Sequence, residues 1–177
     1  MLHRLQLKHA LAGAGVRVAA VLAALVGLAG CGFHLQGAGT LPPALGKTYI
    51  ATARPHTEFL DTLTDTLRLR GSELVQSRDD AQAVLDITAD DTGQRVLSVS
   101  ARNVPREYEV YYTITFSLQV AGEQVITQES LIATRSYTYD ETQVLAKAAE
   151  EEVLRRALAE DLARRLVRRI EIAAPKT

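Results

Sequence analysis

One thiol stands in the chain, at Cys31, and its neighbours define the chemistry open to it. Leu28-Ala29-Gly30 precede it and Gly32-Phe33-His34-Leu35-Gln36-Gly37 follow. Small side chains just before a cysteine are what a lipoprotein signal peptidase cuts behind, and the freed thiol can carry a diacylglycerol thioether. The residues upstream agree. Arg4, Lys8 and Arg17 form a basic start with no acidic residue, and Val18 to Leu28 is an unbroken run of apolar residues and glycine. A membrane-spanning helix needs roughly 20 such residues, so this run is too short to span and reads as a secretory leader. Residues 1–30 are therefore expected to be removed, leaving a chain that begins at a lipidated Cys31. An ordinary secretory leader with a chance cysteine is the plainer alternative.

Lipidation makes a protein anchored rather than spanning. One acyl chain holds a bilayer only reversibly, at about 0.8 kcal/mol per buried methylene, and three chains make the hold effectively permanent. With Cys31 modified no disulfide can form, although the chain is exported to an oxidising compartment. Stability must come from packing or from a partner. Zinc–thiolate sites and a cysteine nucleophile are excluded by the same count. Of the 20 basic residues three lie in the leader, so 17 remain against 21 acidic residues and the processed chain is net −4. That balance gives no nucleic-acid surface.

Other chemistry is sparse. His3 and His9 leave with the leader, and His34 and His56 have no partner at metal-ligand spacing. There is no Gly-x-Ser-x-Gly elbow and no phosphate-cradling glycine loop. Asp79-Asp80 and Asp90-Asp91 could suggest acid–base work, but adjacent acids in turns usually serve the backbone, and both pairs are expected in solvated turns. Arg164, Arg165, Arg168 and Arg169 could form an anionic-lipid patch or a solvated helix face, and acids four residues before two of them favour the latter. Two cations are harder to dismiss. Arg102 sits in a polar loop, Ser100 to Arg106, and Lys147 in the second turn of a long helix, where a cation opposes the macrodipole. A bound anion would explain such a lysine, since helix N-termini favour phosphate; a solvated lysine is the alternative.

The elements that must position these groups are legible from periodicity. Gly37 to Gly46 is glycine- and proline-rich and reads as a tether. Lys47 to Ala53 reads as a short strand. Thr57 can cap a helix whose Phe59, Leu60, Leu63 and Leu67 recur at helical spacing, with Gly71 as the stop. Ala83 to Ala89 and Arg95 to Ser100 read as two further strands. Glu107 to Val120 alternates strictly, with Tyr108, Val110, Tyr112, Ile114, Phe116, Leu118 and Val120 on one side. Ala121-Gly122-Glu123 turns it into a return strand, Gln124 to Tyr139. The last helix spans roughly Glu141 to Ile170, with Asp140 and Gln143 as a capping box. Its apolar stripe is expected from Leu154, Leu158, Leu162 and Leu166, widened by Val153, Ala157 and Ile170. Four acid-before-base pairs, Glu151–Arg155, Glu152–Arg156, Glu160–Arg164 and Asp161–Arg165, line the other face. The order β-α-β-β-β-α predicts an α+β domain: an antiparallel or mixed sheet of about four strands with both helices on one face. Its expected limits are a tether over 31–46, a single domain over 47–172 and a tail over 173–177.

Taken in order, these motifs resemble the LptE family of lipopolysaccharide-assembly lipoproteins of Gram-negative bacteria. The likeness begins at Cys31-Gly32-Phe33-His34-Leu35 and passes through Leu67-Arg68-Leu69-Arg70-Gly71. It is strongest over Glu107-Tyr108, Thr134-Arg135-Ser136-Tyr137 and Leu145-Ala146-Lys147. Gln36 stands where many relatives carry arginine and Phe33 where others carry tryptophan. The resemblance implies a non-enzymatic lipoprotein seated as a plug in the large outer-membrane β-barrel LptD. It would help that barrel fold and would bind lipopolysaccharide during delivery to the outer leaflet. It implies outer-membrane sorting through Gly32, and lipopolysaccharide contact at Lys147 and, across a one-residue gap, at Arg102. No cofactor is implied beyond the N-acyl and S-diacylglycerol lipid on Cys31. A periplasm-facing lipoprotein that binds a peptide or envelope polymer, and a lipid-anchored hydrolase, are the competing readings of the same elements.

Overall fold

The computed structural model describes residues 39–175. The leader, Cys31 and the first half of the tether lie outside the described residues, as does the end of the C-terminal tail.

The elements follow in the order β1 (Lys47–Thr52), α1 (Glu58–Leu69), β2 (Glu73–Leu74), β3 (Ala83–Val99), β4 (Pro105–Val120), β5 (Glu123–Thr138) and α2 (Val144–Ala173). The sheet has five strands in the order β2-β1-β3-β4-β5. β1 runs parallel to β2 and β3, and the other pairs are antiparallel. The sheet is thus mixed, with one strand more than expected. The extra strand is the two-residue β2, too short for any alternation to announce it.

α1 forms where its caps dictate. Thr57 Oγ1 accepts from the Leu60 amide at 3.2 Å. At the other end Gly71 takes φ +88, and the Ser72 amide reaches back to Leu67 O while the Gly71 amide reaches Arg68 O. That is the glycine-terminated helix end in which the last carbonyls are satisfied by a left-handed residue. Phe59, Leu63 and Leu67 are fully buried beneath it.

On β4 the alternating set Val110, Tyr112, Ile114, Phe116, Leu118 and Val120 is buried, and it meets both helices in one core. α2 contributes Leu158, Leu162, Leu166 and Ile170, as the leucine spacing predicts. Its stripe is widened by Ala159, Ala163 and Val167, not by Val153 and Ala157, which are exposed.

Three expectations are corrected. First, Ala83 to Ala89 and Arg95 to Ser100 are not separate strands. They are parts of the 17-residue β3, which runs through Asp90-Asp91 instead of turning there. Irregular register between Ile87 and Ala89 inserts one residue. A one-residue slip exchanges the faces of a strand, so Ala83, Leu85 and Ile87 point inward before it and Asp90 points inward after it. Second, α2 begins at Val144, not Glu141. Asp140 does not cap it; its Oδ1 accepts instead from the Thr142 amide and hydroxyl at 2.9 and 2.7 Å, closing a local turn before the helix. Third, the end of the expected tether is part of the body. Leu41 and Leu45 are buried in the core, and the Leu41 amide donates to Arg70 O.

Candidate functional site

The two predicted cations lie at one end of the molecule, where the β3–β4 turn, the end of β5 and the start of α2 come together. β5 runs outward to Thr138 and α2 doubles back over it. The first turn of α2 therefore rests on the last inward-facing residues of the hairpin.

There three tyrosines cluster. Tyr108 stacks on Tyr137, its partner across the β4–β5 ladder, with ring centres 5.8 Å apart and planes 18° apart. Tyr139 meets Tyr108 edge-on at 5.3 Å. Such pairs add to simple burial through their ring quadrupoles. Tyr137 is buried, and its hydroxyl donates to Gln94 Oε1 at 3.1 Å. Burial pushes its phenol up from the ordinary value, and the Glu151 carboxylate adds to the shift.

Lys147 belongs to this cluster. It is the fourth residue of α2, so it lies in the first turn and not the second. From Glu141 to Glu150 every other residue is exposed, and Lys147 alone is turned toward the sheet. Its side chain is 19% exposed, with Nζ 2.8 Å from Glu150 Oε2 and 6.0 Å from the centre of the Tyr137 ring. Glu151, four residues on, pairs with Arg155, as its spacing predicts. No acidic residue occupies the first turn of α2, and Gln143 gives no side-chain cap. The positive end of the helix dipole and the lysine ammonium are thus superposed, which suits an anion from outside.

Arg102 is exposed on the turn that joins β3 to β4. That turn is closed by the Ser100 amide on Val104 O at 2.7 Å and by Asn103 at φ +62. Arg102 and Arg106 line one wall of a groove of about 270 Å³, and Thr138 to Thr142 form the other. Asp140 lies in that far wall. Its two bonds from Thr142 hold its carboxyl below the usual range, and Lys147 and Arg106 add to this. The structure therefore brings Arg102 and Lys147 to one mixed-charge, tyrosine-lined end without direct contact between them. Sequence reasoning missed Tyr139 and Arg106 as members. The available signal was Tyr137 and Tyr139 two apart on a strand, facing Tyr108.

The acidic pairs divide. Asp79 and Asp80 lie exposed in a short turn, as expected. Asp90 is 7% exposed. Its Oδ2 accepts from Thr57 Oγ1 at 2.6 Å and its Oδ1 from Tyr112 Oη at 2.8 Å. It ties the cap of α1 to the core of the sheet. Among the described residues no group of three or more His, Cys, Asp or Glu is placed to hold a metal, and no helix is long and apolar enough to cross a membrane.

With this geometry in view, the likenesses to known proteins agree with one another. A family model described as LptE, lipopolysaccharide-assembly, matches residues 45–170. The chain is 29% identical over 157 residues to the LPS-assembly lipoprotein LptE of Yersinia enterocolitica, covering 85% of this chain and 75% of that one. It is 27% identical over 155 residues to the protein of that name from Photorhabdus laumondii, with 85% of each covered. Among solved structures it is similar to lipoprotein B of Nitrosomonas europaea, with a TM-score of 0.67 at 26% identity over 79% of this chain and 90% of that one. The rare lipoprotein B of Shewanella oneidensis shares the fold, with a TM-score of 0.63 at 22% identity over 70% and 92%.

Proposed function

The chain belongs to the LptE family of lipopolysaccharide-assembly proteins, and we propose that it is an outer-membrane lipoprotein, anchored through Cys31, that plugs an LptD-type β-barrel and binds lipopolysaccharide at the Lys147–Arg102 end. The match over residues 45–170 carries this reading. Relatives that align with most of this chain bear the name LPS-assembly lipoprotein.

Several features of the body support it. Barrel lumens are polar and wet, so a plug needs a polar, mixed-charge exterior. The sheet face away from the helices has one: Arg95 pairs with Glu109 at 2.5 Å and lies over the Tyr111 ring, and Thr115 bonds Ser130. α2 carries all four predicted acid–base pairs, Glu151–Arg155 turned toward the sheet and the other three more exposed. The body is also long. The 30 residues of α2 rise about 45 Å and the 16-residue strands about 55 Å, against roughly 40–45 Å for a bilayer with its headgroups.

Lipopolysaccharide phosphates would meet Lys147 and Arg102 through charge-assisted hydrogen bonds. The chain acts here by binding, not by catalysis. The test is binding of purified lipopolysaccharide to the Lys147→Glu protein. Affinity should fall about tenfold or more, the loss of one charge-assisted contact, with the circular dichroism spectrum unchanged. Undiminished binding would return Lys147 to an ordinary ion pair with Glu150.

A further inference from the structure

A second basic region lies at the opposite end of α2. The last third of the helix and β5 enclose a groove of about 360 Å³, lined by Arg164, Arg165, Arg168 and Arg169 with Leu131 and Ile172. Ile172, in its lining, is 66% exposed. Two of the arginines are committed. Arg169 Nε bonds both oxygens of Glu129 at 2.8 and 2.9 Å, and Arg165 pairs with Asp161 at 2.5 Å and reaches Ile132 O. Arg164 has only loose contacts, 3.7 Å to Glu160 and 4.0 Å to Asp161. Arg168 has no carboxylate within ion-pair distance among the described residues. Positive charge beside an exposed apolar side chain is the composition of a surface that meets an anionic bilayer interface.

The position of the N-terminal segment says which bilayer. Gly39 O accepts from Arg70 Nε at 2.5 Å, and the same guanidinium pairs with Glu171 at 3.0 Å. The described chain thus starts beside the last turn of α2, one residue from Ile172. Gly39 is eight positions beyond Cys31, a reach of at most about 28 Å. Lys147 lies about 36 Å farther along the helix from Glu171.

We propose that the Arg164–Ile172 face rests on anionic phospholipid headgroups of the leaflet that holds the Cys31 anchor. The guanidinium forks of Arg164 and Arg168 engage lipid phosphate, and Ile172 enters the interfacial layer. This rests on the anchored reading above. It gives that reading a direction: the anchor and the arginine face hold one end at the leaflet, and the Lys147–Arg102 end points away from it.

The experiment uses the processed chain, residues 31–177, with Cys31→Ser, so that no lipid of its own binds vesicles. Sedimentation with vesicles of phosphatidylcholine and phosphatidylglycerol at 3:1 should exceed that with pure phosphatidylcholine, and should fall with added salt. The Arg164→Glu/Arg168→Glu protein should lose about tenfold or more of this binding, and Lys147→Glu should lose little. Ile172→Cys supplies a single thiol for an environment-sensitive fluorophore, which should leave water on the phosphatidylglycerol vesicles. Equal binding to both vesicle types, or binding insensitive to the arginine pair, overturns the proposal. So does a fluorophore that stays in water on vesicles and is covered only when a barrel protein is bound. Because the anchor is absent from this chain, failure here overturns the arginine face alone, whereas native protein lacking lipid on Cys31 overturns the anchored reading.

Discussion

Asp90 and Lys147 both turn a polar side chain inward, and different forces hold them there. Asp90 is buried because the register slip before it reverses the strand's faces, and two hydroxyls satisfy it. Asp90→Ala strands both donors, each costing about 1–3 kcal/mol if left unmet; urea unfolding should show a loss within or above that range. Tyr112 responds on the alkaline side. Burial, with Asp90 beside it, pushes its phenol up from 10.0. A raised folded value means the contribution is whole below pH 10 and is lost as pH climbs toward the folded value. Wild-type stability should therefore fall above pH 10, and Tyr112→Phe should flatten that fall. Lys147 was visible in the sequence as a misplaced cation, since only its position in the helix was needed. Asp90 was not: strict alternation cannot reveal an inserted residue, and an Asp-Asp pair looks like a turn.

At the scale of elements, the parts fixed by local chemistry were legible. α1 announces itself through Thr57, its leucine spacing and Gly71, and β4 through its alternation. What escaped depends on partners distant in sequence. β2 exists only because β1 offers it an edge. The start of α2 is set by the turn at Asp140, whose bonds to Thr142 compete with a cap. The first turns of α2 face the sheet with Lys147, Glu151 and Arg155, so Leu145 and Val153 point outward and Leu154 is the first apolar side chain of the helix to reach the core. The helix is therefore built in two halves, and mutation should separate them. Leu162→Ala should cost about 2–5 kcal/mol as a core truncation, while Val153→Ser should change stability by less than about 0.5 kcal/mol, both read by thermal or urea unfolding. A large loss at Val153 would contradict the packing described.

At the scale of the molecule, a polar exterior and a length close to that of a membrane fit a body held within a barrel. Such a partner would also supply stability by mass action, which suits a domain without disulfides. Capture of the full-length lipoprotein from outer membranes of its native host, with whatever is bound identified by mass spectrometry, tests this most directly. The account predicts a stoichiometric outer-membrane β-barrel protein in the captured material; recovery of the lipoprotein from those membranes with no barrel bound would contradict it.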